Sequence, residues 1–96
     1  MTIDPDKLKL YSFQLFSKLD GAVTAGMVHL GDQLGLYSAM RTAAAPLTTA
    51  ELAERAGLHE RWVREWAYNQ AAAKLIDVDD QQRFSLSPEA EAVLAT

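Results

Sequence analysis

From Leu8 onward the apolar positions recur every three or four residues, as Leu8, Tyr11, Leu15 and Leu19, while Leu10, Phe13 and Phe16 fill a neighbouring stripe. That is the period of an amphipathic helix. Asp4-Pro5 supplies both start signals, a capping acceptor followed by proline at the first helical position, so the spacing predicts a helix to about residue 19. Asp20-Gly21 reads as a joint. Beyond it Val23, Met27, Leu30, Leu34 and Tyr37 form a second stripe at spacings of four, three, four and three, predicting a second helix. It carries Gly26, Gly31 and Gly35, each costing about 1 kcal/mol relative to alanine in a helix interior. Close approach by another backbone would offset that cost.

Residues 41–46 are alanine-rich and end in Pro46, so they read as a connection between two subregions. Thr48 with Glu51 three positions on is a capping box. Leu52, Ala53 and Ala56 give the following helix a short apolar face, and Gly57 stops it. A longer helix is predicted from about Glu60 to Ala73, turning Val63, Trp66, Ala67, Gln70 and Ala71 inward. After Lys74 the period falls to two. Leu75, Ile76 and Val78 predict a short strand, 79–82 a polar turn and 83–86 a returning strand. Ser87-Pro88 then starts a helix predicted to run on to Thr96. Helix, turn, helix and hairpin is the order of a winged helix-turn-helix. The fold class expected is therefore mainly α: a winged helix-turn-helix with two extra N-terminal helices and a small β-hairpin wing. We divide it into a helical pair over 1–40 and the winged unit over 41–96, forming one compact domain.

At 96 residues the chain is one domain's worth, and its 49 % apolar and 23 % charged residues are ordinary for a globular protein. No apolar run approaches the length of a membrane span, and the acidic start at residues 1–6 is unlike a secretory leader; a cytoplasmic protein is expected. The absence of cysteine removes disulfides, thiolate metal sites and thiol catalysis. The net charge is −4, and neither half is basic: three basic residues face four acidic ones over 1–40, and six face nine over 41–96.

This charge bears on the first function a helix-turn-helix brings to mind. For DNA, Glu60–Ala73 would enter the major groove and Asp77–Arg83 would form the wing. Arg61, Arg64 and Lys74 are opposed by Glu60 and Glu65, and the wing sets Asp77, Asp79 and Asp80 against Arg83 alone. Phosphate affinity would rest on a few side chains. A free-standing DNA-binding regulator is thus the alternative reading, and Glu60–Arg64 and Arg61–Glu65 pairs on a solvated helix face account for the same arginines. His29 and His59 lie thirty residues apart with no further ligands at metal spacing, residues 77–80 are a turn rather than a calcium loop, and the glycines match no phosphate cradle. No catalytic, cofactor-binding or metal residue is assigned. Trp62 and Trp66, one helical turn apart, are core residues by size, or one of them lines a pocket.

The strongest functional signal in the pattern is excess apolar surface on the first two helices. Such surface marks interfaces. It points to a two-fold homodimer built on Leu15, Leu19, Val23, Met27, Leu30, Leu34 and Tyr37.

The segments Leu47-Thr48-Thr49-Ala50-Glu51-Leu52-Ala53-Glu54-Arg55-Ala56-Gly57-Leu58, Glu60-Arg61-Trp62-Val63-Arg64-Glu65-Trp66 and Phe84-Ser85-Leu86-Ser87-Pro88-Glu89, with Gly35-Leu36-Tyr37 before them, together resemble the N-terminal winged-helix domain of class I S-adenosylmethionine-dependent methyltransferases, including the small-molecule O-methyltransferases. One departure is Lys74, where that family has glycine in a left-handed helix cap. The resemblance implies a domain that pairs two subunits and covers a small-molecule substrate, with S-adenosylmethionine and the catalytic base in a C-terminal Rossmann-like domain that these 96 residues lack, so that the chain alone would be inactive. It also makes Phe13 and Phe16, with Trp62 and Trp66, candidates for lining the substrate cavity. Nucleic acid and membrane are not expected partners.

Overall fold

A computed structural model describes residues 2–95. Helix α1 spans Pro5–Gln33, α2 Leu36–Arg41, α3 Thr49–Ala56 and α4 Glu60–Ala72; strands β1 (Asp77–Val78) and β2 (Phe84–Ser85) follow, and α5 spans Pro88–Leu94. The start of α1 is as predicted, with the Asp4 carboxylate accepting the backbone N–H groups of Asp6 and Lys7. The expected joint at Asp20-Gly21 does not exist. Gly21 and Gly26 sit on open helix surface, where a Cβ would meet nothing within 4 Å, and a glycine in that setting lowers helix propensity without interrupting the i→i−4 ladder. The break falls instead at Gly35, whose φ of +73° is a left-handed conformation that suits glycine. Two helices do precede the helix-turn-helix, with their boundary fourteen residues later than the pattern implied.

The core lies between α2, α3, α4 and the hairpin. Leu36, Tyr37 and Met40 from α2 pack with Leu52 and Ala53 from α3, Val63, Trp66 and Ala67 from α4, and Ile76 and Phe84 from the hairpin. A division at residue 40 therefore passes through an element whose apolar face belongs to this core. Capping fixes the register of α3: the Thr48 hydroxyl accepts the Glu51 N–H and the Glu51 carboxylate accepts the Thr48 N–H. The Thr48 backbone N–H first, and the Thr48 hydroxyl second, hold the Glu51 carboxyl below the usual range. Both α3 and α4 end in the paired 6→1 and 5→2 bonds of a Schellman cap. Gly57 occupies the left-handed position in the first, at φ +68°, and Lys74 in the second, at φ +63°. The cap that lysine put in question forms all the same.

The wing is an antiparallel pair with Asp77 opposite Ser85 and Val78 opposite Phe84. Asp79 tightens its turn by accepting the N–H groups of Gln81 and Arg83 on one carboxylate oxygen. A third extended piece was not foreseen: Leu47 and Phe84 exchange both backbone hydrogen bonds, at 2.9 and 2.7 Å. The last helix stops at Leu94, short of the predicted run, and Thr96 lies outside the described residues, as does Met1. The radius of gyration is 16.6 Å, against about 12–13 Å for a compact chain of this length, and the molecule measures 59 × 28 × 27 Å. Helix α1 accounts for the difference. At about 1.5 Å per residue it is some 40 Å long, and only its C-terminal third touches the body.

Candidate functional site

The docking of α1 onto the body is set by one close approach. A Cβ at Gly31 would stand 2.5 Å from Cζ2 of Trp66 and 2.8 Å from Cε2 of Tyr37, so the helix can lie this near only with glycine there. The compensation expected for the glycines is thus met at Gly31, by aromatic side chains rather than by a backbone. Trp66, 3 % exposed, donates its indole N–H to the Met27 carbonyl at 2.8 Å and stacks edge-on against Tyr37 at 5.2 Å. The Tyr37 hydroxyl donates to the Gln70 side-chain oxygen, deep in the core. Burial first, and the Asp32 charge second, push the Tyr37 phenol up to about 12. Tyr37 is 1 % exposed and so has no surface to offer a partner. It belongs to the core, not to the interface in which the sequence placed it.

Beside this contact, α1 and α4 diverge and leave an apolar cleft of about 700 Å³. Met27, Leu30, Leu34 and Leu36 form one wall, Leu58, Trp62, Val63 and Trp66 the other, and His59, Arg61 and Glu65 stand at the rim. Trp62 is 71 % exposed, so the two tryptophans divide: Trp66 is core and Trp62 is cleft wall. Their spacing could have revealed the wall, since Leu58, Trp62 and Trp66 recur every four residues. Phe13 and Phe16 are elsewhere. They flank a shallow depression with Leu19 and Val23 on the free part of α1, about 20 Å along the helix from the level of Met27. The four aromatic candidates are therefore not brought together within one chain.

Leu15, Leu19, Val23, Leu30 and Leu34 are all solvent-exposed, and Met27 is half-buried. Leu8, Leu10, Tyr11, Phe13 and Phe16 are exposed as well. His59 caps α4, its Nδ1 accepting the Arg61 N–H, while His29 is exposed on α1 beside a depression that Val93 and Leu94 also line. Among the described residues no group of acidic and histidine side chains has metal-site geometry. The Glu60–Arg64 pair forms, bidentate with a shortest contact of 2.8 Å. That pairing, with the Thr49 hydroxyl, holds the Glu60 carboxyl down. Arg61–Glu65 is not among the ion pairs of the described residues. Asp77, Asp79 and Asp80 stand exposed on the wing beside α4.

Residues 22–96 match the family described as the Rv2258c-like winged HTH domain. The chain belongs to that family. No curated protein matches it significantly. Among solved structures, the Rv2258c-like domain is similar to mitomycin 7-O-methyltransferase, at a TM-score of 0.82 and 22 % identity over 95 % of this chain and 26 % of the other. It is also similar to the human N-acetylserotonin methyltransferase in complex with SAM, at a TM-score of 0.76 and 15 % identity over 86 % of this chain and 25 % of the other. A third likeness is to a protein described as a pericyclic reaction enzyme, at a TM-score of 0.73 and 19 % identity over 88 % of this chain and 21 % of the other. At such identities the shared feature is the winged-helix fold, and the chain spans about a quarter of the length of these proteins. No helix among the described residues is long and apolar enough to cross a membrane.

Proposed function

We propose that this Rv2258c-like domain is the dimerisation and substrate-covering part of an S-adenosylmethionine-dependent methyltransferase acting on a small molecule, the cofactor being held by a Rossmann-like domain outside these 96 residues. The observation that carries the reading is a mismatch within one chain: a complete, well-capped winged-helix core beside a long helix whose apolar side chains have nothing to cover them. The exposed large side chains of α1 offer on the order of 1,000 Å² per copy, about what one partner contributes to a stable protein–protein interface. Two copies joined through α1 would cover it, and the homodimer is part of the reading. The cleft beside Trp62 supports the covering role, being apolar with a few polar groups at its rim, the make-up of a small-molecule site. Likeness in fold to methyltransferases raises this reading as an analogy. Residence in the cytoplasm belongs to the proposal, in keeping with a cysteine-free chain.

The electrostatics favour this over DNA. Arg64 is committed to Glu60, and the wing that would lie against a phosphate backbone presents three carboxylates. The test is an immunoblot of the source cells with an antibody raised against this chain. The expected result is a band several-fold heavier than 10.6 kDa that retains labelled S-adenosylmethionine after immunoprecipitation. A band at 10.6 kDa, with salt-sensitive binding of random duplex DNA by the purified chain, would overturn it in favour of a free-standing regulator.

A further inference from the structure

Asp4 caps α1, Thr48 caps α3 and Ser87 caps α5, each accepting backbone N–H groups on a side-chain oxygen. Above about pH 5 such oxygens go on accepting. Helix α4 is capped by an imidazole instead, His59 Nδ1 taking the Arg61 N–H at 3.3 Å. A ring nitrogen accepts only while the imidazole is neutral, and imidazole side chains as a class change charge between about pH 5 and 8. Protonation would set a hydrogen on Nδ1 against the Arg61 N–H. It would also put a positive charge at the positive end of the α4 dipole.

The charged groups around His59 do not offset that loss. Glu60 beside it is already committed to the Arg64 guanidinium and to the hydroxyl of Thr49, through which α3 reaches this turn. Arg61 and Glu65, at the same rim of the cleft, carry opposite charges. Helices α1 and α2 line the cleft with Met27, Leu30, Leu34 and Leu36, which neither titrate nor bear charge. The turn at stake is Glu60, Arg61 and Trp62, ahead of Val63, the first α4 residue buried in the core. Trp62 is exposed, so it keeps its place in the cleft wall through the backbone of that turn and not through burial.

We propose that His59 is a proton-operated clasp on the cleft: neutral, it holds the first turn of α4 and with it Trp62; protonated, it releases the Arg61 N–H and frees that turn. By linkage, an occupant that needs Trp62 held in place is bound more weakly in acid, and in turn favours the neutral imidazole. That consequence rests on the covering role proposed above, whereas the clasp itself does not.

The 96-residue chain suffices for the test. Between pH 7.5 and pH 5.5 the neighbouring carboxyls of Glu51 and Glu60, both held below the usual range, stay ionised. His59→Asn keeps a capping acceptor that does not titrate, and comparison with it cancels any contribution of His29, the one other histidine. From pH 7.5 to pH 5.5 the unfolding constant of the wild type is expected to rise about two- to thirtyfold more than that of His59→Asn, the span that loss of a helix cap covers, read by denaturant titration. Over the same interval ¹⁵N relaxation is expected to show backbone order falling at Arg61 and Trp62 in the wild type alone. Val63 and the Trp66 indole N–H, bonded to the Met27 carbonyl, stay as they were. An equal pH dependence in wild type and His59→Asn overturns the clasp. A difference in stability without loss of order at Trp62 overturns its link to the cleft. Neither result touches the covering role, which the immunoblot decides.

Discussion

Lys74 and Tyr37 each hold a conformation or partner that the side chain makes costly, and each yields a measurable sign. Lys74 takes the left-handed cap position of α4, where a Cβ costs about 1–2 kcal/mol. Its side chain is exposed, so Lys74→Gly removes the strain without removing a core contact. We expect it to stabilise the fold by about 1 kcal/mol, a rise in Tm of roughly 4–8 °C, read by thermal unfolding. Tyr37 is the opposite case, a buried phenol satisfied by Gln70. Its folded-state value, raised from 10.0 to about 12, means the folded state holds the proton more tightly than the unfolded state. The associated stability is fully present below pH 10 and is lost as the pH rises through 10 toward about 12. Denaturant titrations at pH 9 and pH 11 are expected to show the fall, and the Tyr37→Phe variant a smaller one. At pH 7 Tyr37→Phe costs about 1–3 kcal/mol, because the Gln70 oxygen loses its donor.

At the scale of elements, capped segments were legible and uncapped boundaries were not. Asp4-Pro5, the Thr48–Glu51 box, Gly57 and Ser87-Pro88 each name the start or stop of a helix by its local chemistry, and the structure puts helix ends there. The inward residues of α4 were readable for a related reason: its period is unbroken and its body faces one core. Asp20-Gly21 misled because a glycine ends a helix where a positive φ is required and otherwise lets it run on, even at a close approach, and neither requirement is visible in the sequence. Gly35 needs the first and Gly31 the second. The Leu47–Phe84 pairing was hidden because a single bridge has no period. Tyr37 was assigned to an interface because its place in the stripe is the same whether the covering partner is another chain or the tryptophan at Trp66. The cleft as a unit was illegible, since its walls lie some thirty residues apart, though the Leu58–Trp62–Trp66 repeat marks one of them. The α1–body contact itself is testable. Gly31→Ala drives a methyl into Trp66 and Tyr37 and is expected to destabilise by about 1–3 kcal/mol. Gly26→Ala, with open space around it, is expected to strengthen the helix by up to about 1 kcal/mol. Chemical denaturation of the two variants at low protein concentration separates these signs.

The whole molecule is a small core carrying a helix too long and too apolar for it. Helix α1 contributes chiefly Met27, Val28 and Gly31 to the body and presents most of its other apolar side chains to solvent, and a domain of this size cannot bury that surface by itself. Everything proposed about function follows from what covers it. In the proposed dimer a second copy would cover the exposed stripe and give a winged helix with an acidic wing a task other than binding phosphate. Sedimentation equilibrium of the chain at tens of micromolar measures this directly. Our account predicts a mass of twice 10.6 kDa, falling to the single-chain value when Leu19 is replaced by aspartate. A wild-type mass of 10.6 kDa across that concentration range would contradict it.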